Sequence, residues 1–320
     1  MLFGAGAILL TERAIERGAG IGAADLYLRR CLWLMLFGVL HAYLIWEGDI
    51  LFHYGVVGLG LLAFRTLQVK GLLVAAGIVF LVAQITCFGP YFVLQSKRSE
   101  GLAALKLKDQ KQTLTKDQEG ARKAYEEILE GDDPLKRKAK IEAQIKNMRG
   151  SWFTVFKERA RHAYTSQTGF LYKFGVTDVL FAMLLGMALF KAGVLSGERS
   201  AGFYGKLALA GYGLGLPVLA YMTFYVLGTN FDVWQRQILI TTYEYGRLTV
   251  GLGHLSLLLL IIRSGWLRPL TYLLACVGQM ALTNYLLTSV LATLFFNGYG
   301  LAKFGALERH QLLFVVFSIW

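Results

Sequence analysis

The chain has 320 residues, 55% of them hydrophobic and only 17% charged, with a mean hydropathy of +0.49. A soluble domain carries about 25% charged residues, so this composition excludes an ordinary soluble globular protein. The formal net charge of +12 would suit nucleic acid, but 17 of the 33 Lys and Arg residues lie within the polar stretch 96–171 and most others flank apolar runs. That distribution is a membrane-topology pattern, and no nucleic-acid partner is expected.

A bilayer core takes roughly 20 apolar residues per helix. In chain order the apolar runs predict spans over 31–46, 50–64, 71–94, 174–195, 207–227, 248–262 and 281–296. The fold class expected is therefore all-α, a polytopic helical membrane protein with about seven complete spans and one polar helical insertion. Partial runs at 1–10 and 311–320 touch the two termini. Each is about half a span, which leads to the expectation of a chain cut inside one helix at each end. A signal-peptide reading of 1–10 fails because no basic region precedes it. Three regions follow: N-terminal membrane helices over 1–95, the polar insertion over 96–171, and C-terminal membrane helices over 172–320.

Loop charges give one consistent orientation. Arg13, Arg17, Arg29 and Arg30 place the segment before the first full span in the cytoplasm, and alternation puts Arg65 and Lys70, then Lys191, Arg199 and Lys206, then Arg263 and Arg268 on the same side. Of the short loops assigned outside, 47–49 has no basic residue and 228–245 has only Arg236. The insertion then lies outside, where long loops translocate regardless of charge.

Within the insertion, 103–130 is rich in Ala, Lys, Glu, Gln and Leu, which favour helix. Gly131-Asp132-Asp133-Pro134 ends one helix and starts the next, with Asp133 as N-cap and Pro134 at the first helical position. Ser151 caps a third helix through Trp152, Phe156 and Arg159. The segment reads either as a lid over an outward-facing cavity or as a charged helical hairpin without chemistry. Cys31, Cys87 and Cys276 are isolated in apolar segments and read as small buried hydrophobes. No internal repeat, P-loop or dinucleotide fingerprint is present.

The densest polar group in an apolar setting is GVLHAYLIWEGDILFHY, 38–54. One helix descends through His41, turns at Glu47-Gly48-Asp49, and a second begins at once. Asp49 sits at that helix's N-terminus, where unpaired N–H groups and the macrodipole favour a carboxylate. His53 is one turn on and shares its face, while His41 lies on the partner helix at similar depth. A histidine oriented by a carboxylate is the usual form of a general base, so His41, Asp49 and His53 are the candidate catalytic residues. The same residues also read as a polar cap with Trp46 and Tyr54 as interfacial aromatics, or as metal ligands; no metal site is assigned. A second polar group, VGQMALTNYLLTS at 277–289, carries Thr283, Asn284, Thr288 and Ser289. It serves either interhelical hydrogen bonding or a cavity wall, and Asn284, Tyr285 and Ser289 join Arg29, Arg30, Trp46 and Tyr54 as candidate substrate contacts. Asp178 is a lone acid near the outer end of its span, and His254 and His310 read as packed side chains.

LFGAGA at 2–7, the Arg29-Arg30 pair, GVLHAYLIWEGDIL from Gly38, MLLGMALFKAGVLSGERS from Met183 and GQMALTNYLLTS from Gly278 occur in this order. On these motifs the chain resembles the YeiB-like family of bacterial membrane proteins, a domain of unknown function (DUF418), over nearly its whole length. One departure is Gln279, where the family usually has Arg. Members of the family typically begin before LFGAGA and continue past the final Ile-Trp. The family is distantly similar to membrane acyltransferases that acetylate sugars outside the cytoplasm, including the heparan-glucosaminide N-acetyltransferase group. That resemblance implies an acyl-CoA donor entering from the cytoplasmic side, an envelope glycan or small-molecule acceptor, and residence in the bacterial cytoplasmic (inner) membrane. Those relatives use a histidine near the first helix, a position this sequence lacks, so His41 is not equated with it.

Three functions follow as expectations. The first is an acyltransferase-like enzyme with Arg29 and Arg30 near the donor and the His41/Asp49/His53 group near the acceptor. The others are a transporter or export component, and a structural membrane partner without chemistry. No cofactor is evident in the sequence, and the lipid bilayer is the one partner it names. Reporter fusions test the topology: those after Trp46 and within 96–164 are expected to report outside, those after Lys70 and Arg199 inside. An insertion found in the cytoplasm would overturn the orientation.

Overall fold

The computed structural model describes residues 1–319, apart from the side chain of Ile240. Among them the chain is helical, with no strand. In order come α1 (Leu2–Glu16), α2 (Gly22–Leu44), α3 (Leu51–Leu61, tightening into a 3₁₀ turn over Leu62–Phe64), α4 (Val69–Asp109), α5 (Lys116–Gly131), α6 (Pro134–Met148) and α7 (Trp152–Thr165). A π-helical stretch, Ser166–Gly175, carries α7 into α8 (Val176–Lys191), followed by α9 (Ala201–Gly228), α10 (Val233–Ser264), α11 (Arg268–Gln279), α12 (Ala281–Phe296) and α13 (Arg309–Ile319). Trp320, which ends the expected terminal run, lies outside the described residues.

Among the described residues, four helices are long and apolar enough to cross a bilayer: α4, the continuous Trp152–Lys191 helix, α9 and α10; the pair α11–α12, bent by 78°, makes a fifth if counted as one span. The expected count of about seven exceeds this by the runs 31–46, within the 23-residue α2, and 50–64. The run 50–64 folds into a helix of about 21 Å at about 1.5 Å per residue, shorter than a hydrocarbon core of about 30 Å, and α12 has only 16 residues. Large apolar side chains project outward along the long helices, Leu81 and Ile85 on α4 and Leu209 and Phe224 on α9 among them. A surface of that kind is stable only in lipid, and the protein is a membrane protein.

The chain divides into two compact units, Met1–Ala83 with Glu142–Glu198 and Arg268–Trp320, and Gln84–Ile141 with Arg199–Leu267. The first unit is built on close backbone approach. A Cβ at Gly4 of α1 would overlap the Met183 carbonyl of α8, and one at Gly186 would overlap the Met1 carbonyl. Tyr27 of α2, fully buried, donates its hydroxyl to the Gly58 carbonyl of α3 at 2.9 Å. At the opposite end of α3 from Asp49, Lys191 Nζ donates to the carbonyls of Arg65 (2.6 Å) and Leu67 (3.0 Å), which gathers the basic ends of α3 and α8.

The second unit centres on the α9–α10 hairpin. Gly211 and Gly215 of α9, one turn apart, lie against Thr249, Val250 and Gly253 of α10, the small-residue packing by which helices associate in lipid. At the turn end, Trp234 is buried, stacks on Tyr125 of α5 (5.1 Å, 8°) and receives Gln95 Nε2 on its carbonyl at 2.7 Å. Arg236 pairs with Asp132 at 3.0 Å. Helices α4 and α5 are thus fastened to one end of this hairpin.

Two caps expected from local sequence are present. Asp133 Oδ1 accepts from Leu135 N–H at 2.7 Å beside Pro134, and Ser151 Oγ accepts from Thr154 N–H at 3.4 Å. The expected single helix over 103–130 is interrupted. Helix α4 runs on to Asp109, and α5 starts afresh at a capping box in which Thr115 Oγ1 accepts from Gln118 N–H and Gln118 Oε1 accepts from Thr115 N–H. The Thr-x-x-Gln spacing is the sequence signature of such a start. Just inside the box, Arg122 grips Glu119 and Glu126, and its hydrogen bond holds the Glu119 carboxyl below the usual range.

The glycine contact in α9 makes a prediction. A methyl at Gly211 would meet Thr249 O at 2.6 Å and Gly253 N at 2.8 Å, whereas Gly213 has open space. Gly211→Ala is expected to destabilise the detergent-solubilised protein by about 1–3 kcal/mol, the usual overpacking cost. Gly213→Ala is expected to be neutral or stabilising by up to about 1 kcal/mol, the helix-propensity gain. Thermal unfolding of both variants checks the difference.

Candidate functional site

Helices α2 and α3 form a hairpin whose turn carries Asp49. Gly38 makes the hairpin this tight, because a Cβ there would run into the Phe52 amide and come within 2.7 Å of Asp49 Oδ2. Asp49 Oδ2 accepts from Phe52 N–H at 2.8 Å, satisfying one of the free amides at the start of α3. Its other oxygen, Oδ1, stands 3.0 Å from His41 Nδ1 and accepts from the Tyr285 hydroxyl at 3.3 Å. The same Tyr285 oxygen accepts from Ile50 N–H at 3.3 Å. Both Asp49 and His41 side chains are 1% exposed.

A carboxylate only accepts, so His41 Nδ1 donates to it, and in the neutral tautomer that carries this proton the lone pair is on Nε2. His41 Nε2 is buried and has no hydrogen-bond partner. The Trp46 indole packs edge-on against the imidazole (6.2 Å, 85°), and Tyr285 lies against it at 4.9 Å. An imidazole held this way by a carboxylate, with its far nitrogen bare, is arranged to take a proton.

The remaining candidates separate. His53 is on the same helix as Asp49 but takes no place in this bond set: its Nδ1 is buried without a hydrogen-bond partner and its ring edge lies against Gly175. Arg29 is exposed and pairs with Asp25 at 2.8 Å. Arg30 lies over the Phe3 ring at 5.8 Å and, with Tyr54 and Tyr285, lines an open cavity of about 500 Å³ between α2, α3 and α12. Trp46, Asn284, Tyr285 and Ser289 line a second, apolar cavity of about 710 Å³. Asn284 also donates to the Val277 carbonyl at 3.1 Å across the α11–α12 bend, and Ser289 donates to the Tyr285 carbonyl at 3.0 Å. Tyr285 borders both cavities and is the one residue of the 277–289 motif that bonds to Asp49. No cluster of three or more His, Cys, Asp or Glu side chains with metal-ligand geometry occurs among the described residues.

Arg159 is a further residue of the site, one to which its local sequence assigns only a place on a helix. Its side chain is 1% exposed, Nη1 donates to the Leu44 carbonyl at 2.6 Å, and Nη2 donates to Tyr299 at 3.2 Å. It thereby caps the C-terminus of α2 next to the Asp49 turn. The only local signal is a single Arg on the face that buries Val155 and Ala163.

The fold and site together define an all-helical membrane protein with a buried carboxylate–imidazole pair at a hairpin tip. The family model described as "Protein of unknown function (DUF418)" matches residues 189–320. The chain is 30% identical over 317 residues to the uncharacterized protein YxaH of Bacillus subtilis (strain 168), covering 95% of this chain and 66% of that protein. It is 27% identical over 328 residues to the uncharacterized protein YeiB of Escherichia coli (strain K12), covering 100% of this chain and 72% of that one. The chain belongs to the YeiB-like DUF418 family, and it spans about two thirds of the length of these curated relatives. No solved structure matches it.

The capping role of Asp49 is separable from its charge. Asn accepts from the Phe52 amide as well as Asp does, whereas Ala removes the acceptor. Asp49→Ala is expected to be about 1–2 kcal/mol less stable than Asp49→Asn, read by thermal unfolding in detergent; equal stability would show that the Phe52 bond contributes nothing.

Proposed function

We propose that this chain is an acyltransferase-like enzyme of the bacterial cytoplasmic (inner) membrane that acylates an envelope acceptor. The observation that carries this reading is the bare, buried Nε2 of His41, whose ring is oriented through Nδ1 by Asp49. As an acceptor hydroxyl or amine attacks the donor thioester carbonyl, His41 Nε2 takes the acceptor's proton. The C–S bond then breaks, and the imidazolium returns that proton to the leaving thiolate. Asp49 stays ionised and stabilises the imidazolium between the two steps, while Tyr285 fixes the carboxylate. An acyl-CoA donor, taken from the cytoplasmic side, would pass from Arg30 towards Tyr285 along the cavity those residues share. In this reading the insertion lies outside, and His53, Trp46, Tyr54, Asn284 and Ser289 border the acceptor's path.

A transport or export role is the second reading, favoured by the 78° break between α11 and α12, since broken helices line transporter sites. The test uses a strain lacking its full-length homologue, complemented with variants and normalised to membrane-inserted protein, alongside transfer of labelled acetyl groups from acetyl-CoA to envelope fractions. His41→Gln and Asp49→Asn are each expected to lower transfer by about 100-fold or more at normal abundance, the usual contribution of a general base. Wild-type transfer in both variants would remove the dyad from the mechanism. Complementation with no acetyl incorporation, together with solute movement across the membrane, would replace the enzyme by the transporter.

A further inference from the structure

The last turn of α2 carries His41, and Trp46, just past the helix end, packs edge-on against the imidazole. That turn is not a regular α-helical end, because the His41 carbonyl accepts from both Ile45 N–H (2.9 Å) and Trp46 N–H (2.8 Å). A helix leaves its final carbonyls without partners of its own, and water, a C-terminal glycine or a basic side chain ordinarily meets them. Here the Leu44 carbonyl, one turn on from His41, is met by Arg159 Nη1 at 2.6 Å.

A buried guanidinium is a costly way to finish a helix. The Arg159 side chain is 1% exposed, and taking a charge out of water is unfavourable unless its partners compensate. Its bonded partners are neutral, the Leu44 carbonyl and the Tyr299 hydroxyl, while the Glu47 carboxylate stands 3.8 Å from Nε, beyond a hydrogen bond. The Tyr299 hydroxyl also accepts from Asn297 Nδ2 at 3.0 Å. The guanidinium is thus carried by α7, held by the segment after α12, and presents one N–H to one backbone oxygen. A glycine or an exposed lysine would end α2 with less desolvation. What the buried, planar fork adds is a fixed direction.

That direction bears on the imidazole. His41 and Leu44 are three residues apart and therefore neighbours on one helix face. A shift of the last turn carries His41 with it, and the 3.0 Å separation of Nδ1 from Asp49 stretches only a few tenths of an ångström, about 0.2–0.5 Å, before the hydrogen bond is lost. Asp49 is held separately, by Phe52 N–H and the Tyr285 hydroxyl. All of these residues belong to one compact unit.

We propose that Arg159 is a positioning residue of the His41–Asp49 pair: through the Leu44 carbonyl it fixes the last turn of α2, and with it the direction of the imidazole. The polar insertion, through α7, thereby sets the geometry of the pair. The catalytic consequence rests on the reading of His41 as proton acceptor, whereas the geometric role stands on the bonds alone.

The test uses the full chain with isotopically labelled histidine in lipid nanodiscs and reads the His41 Nδ1–H resonance, assigned by its loss in His41→Gln. Transfer of labelled acetyl groups from acetyl-CoA to envelope fractions is measured in parallel at equal membrane-inserted protein. Arg159→Gln is expected to shift or broaden the resonance and to lower transfer at least tenfold, since a misplacement of about 1 Å costs about a hundredfold. Arg159→Lys keeps one donor for the Leu44 carbonyl and is expected to be intermediate in both readouts. Arg161→Gln, exposed on the same helix and paired with Glu158, is expected to change neither. A wild-type resonance in Arg159→Gln would overturn the proposal even where thermal stability falls, because the arginine then only supports the fold. Should Arg159→Gln fail to accumulate, Arg159→Lys decides, and a resonance identical to wild type overturns the proposal. Absence of transfer in the wild type removes the enzyme, while the resonance still decides the role of Arg159.

Discussion

A carboxylate buried at the edge of an apolar bundle costs several kcal/mol to desolvate, and the arrangement around Asp49 follows from meeting that cost. Three donors converge on its two oxygens: the Phe52 amide, His41 and the Tyr285 hydroxyl. A hydrogen bond to a charged group is worth about 1.5–3 kcal/mol net, so each of the three adds to holding the buried carboxylate. The donors come from α3, α2 and α12. The full set of donors therefore forms only where all three helices meet, and the polar end of the first unit is organised around that point. Gly38 is its local consequence, since only a residue without a Cβ lets α2 come so close to the carboxylate.

The same constraint explains why the hairpin was legible in the sequence and its partner was not. Asp49, His41 and the turn between them lie within one short segment, and counting helical turns from the Glu47–Asp49 loop brings the two to one depth. Asp133 with Pro134, and Ser151, were legible for the same reason, because a cap is chosen by residues within four positions. The Thr115–Gln118 box was equally local, but the helix-forming composition around it outweighed the signal. Tyr285 was singled out by its polar neighbours, yet its bond to Asp49 joins positions more than two hundred residues apart, and no periodicity in either segment encodes that pairing. Arg159 is the stronger case. On α7 it reads as one more cation of a charged insertion, and only the fold puts its guanidinium on the end of α2.

Span counting failed in part for a different physical reason. Hydropathy measures whether a segment tolerates lipid, whereas crossing requires length as well. Helix α3 with its 3₁₀ turn is apolar but short, and α12 is apolar but bent away from α11. Helices α4 and Trp152–Lys191 err the other way. At 41 and 40 residues they extend well beyond a hydrocarbon core of about 30 Å, so the polar insertion is partly the continuation of membrane helices rather than an appended domain. Two anchors mark the ends of the first unit: Lys191 on the carbonyls below α3, and Arg159 on the carbonyl at the end of α2.

The dyad is fully enclosed, and this decides how it is reached. His41 Nε2 is buried, and the rings of Trp46 and Tyr285 pack on the imidazole. Tyr285 is held by bonds to Asp49 and Ile50, so displacing it breaks the network that makes the carboxylate stable. Trp46 sits just past the end of α2, is half-exposed and lies over Gly48, whose missing side chain leaves the indole its space. The indole is therefore the neighbour of the imidazole that takes no part in the bonds to Asp49.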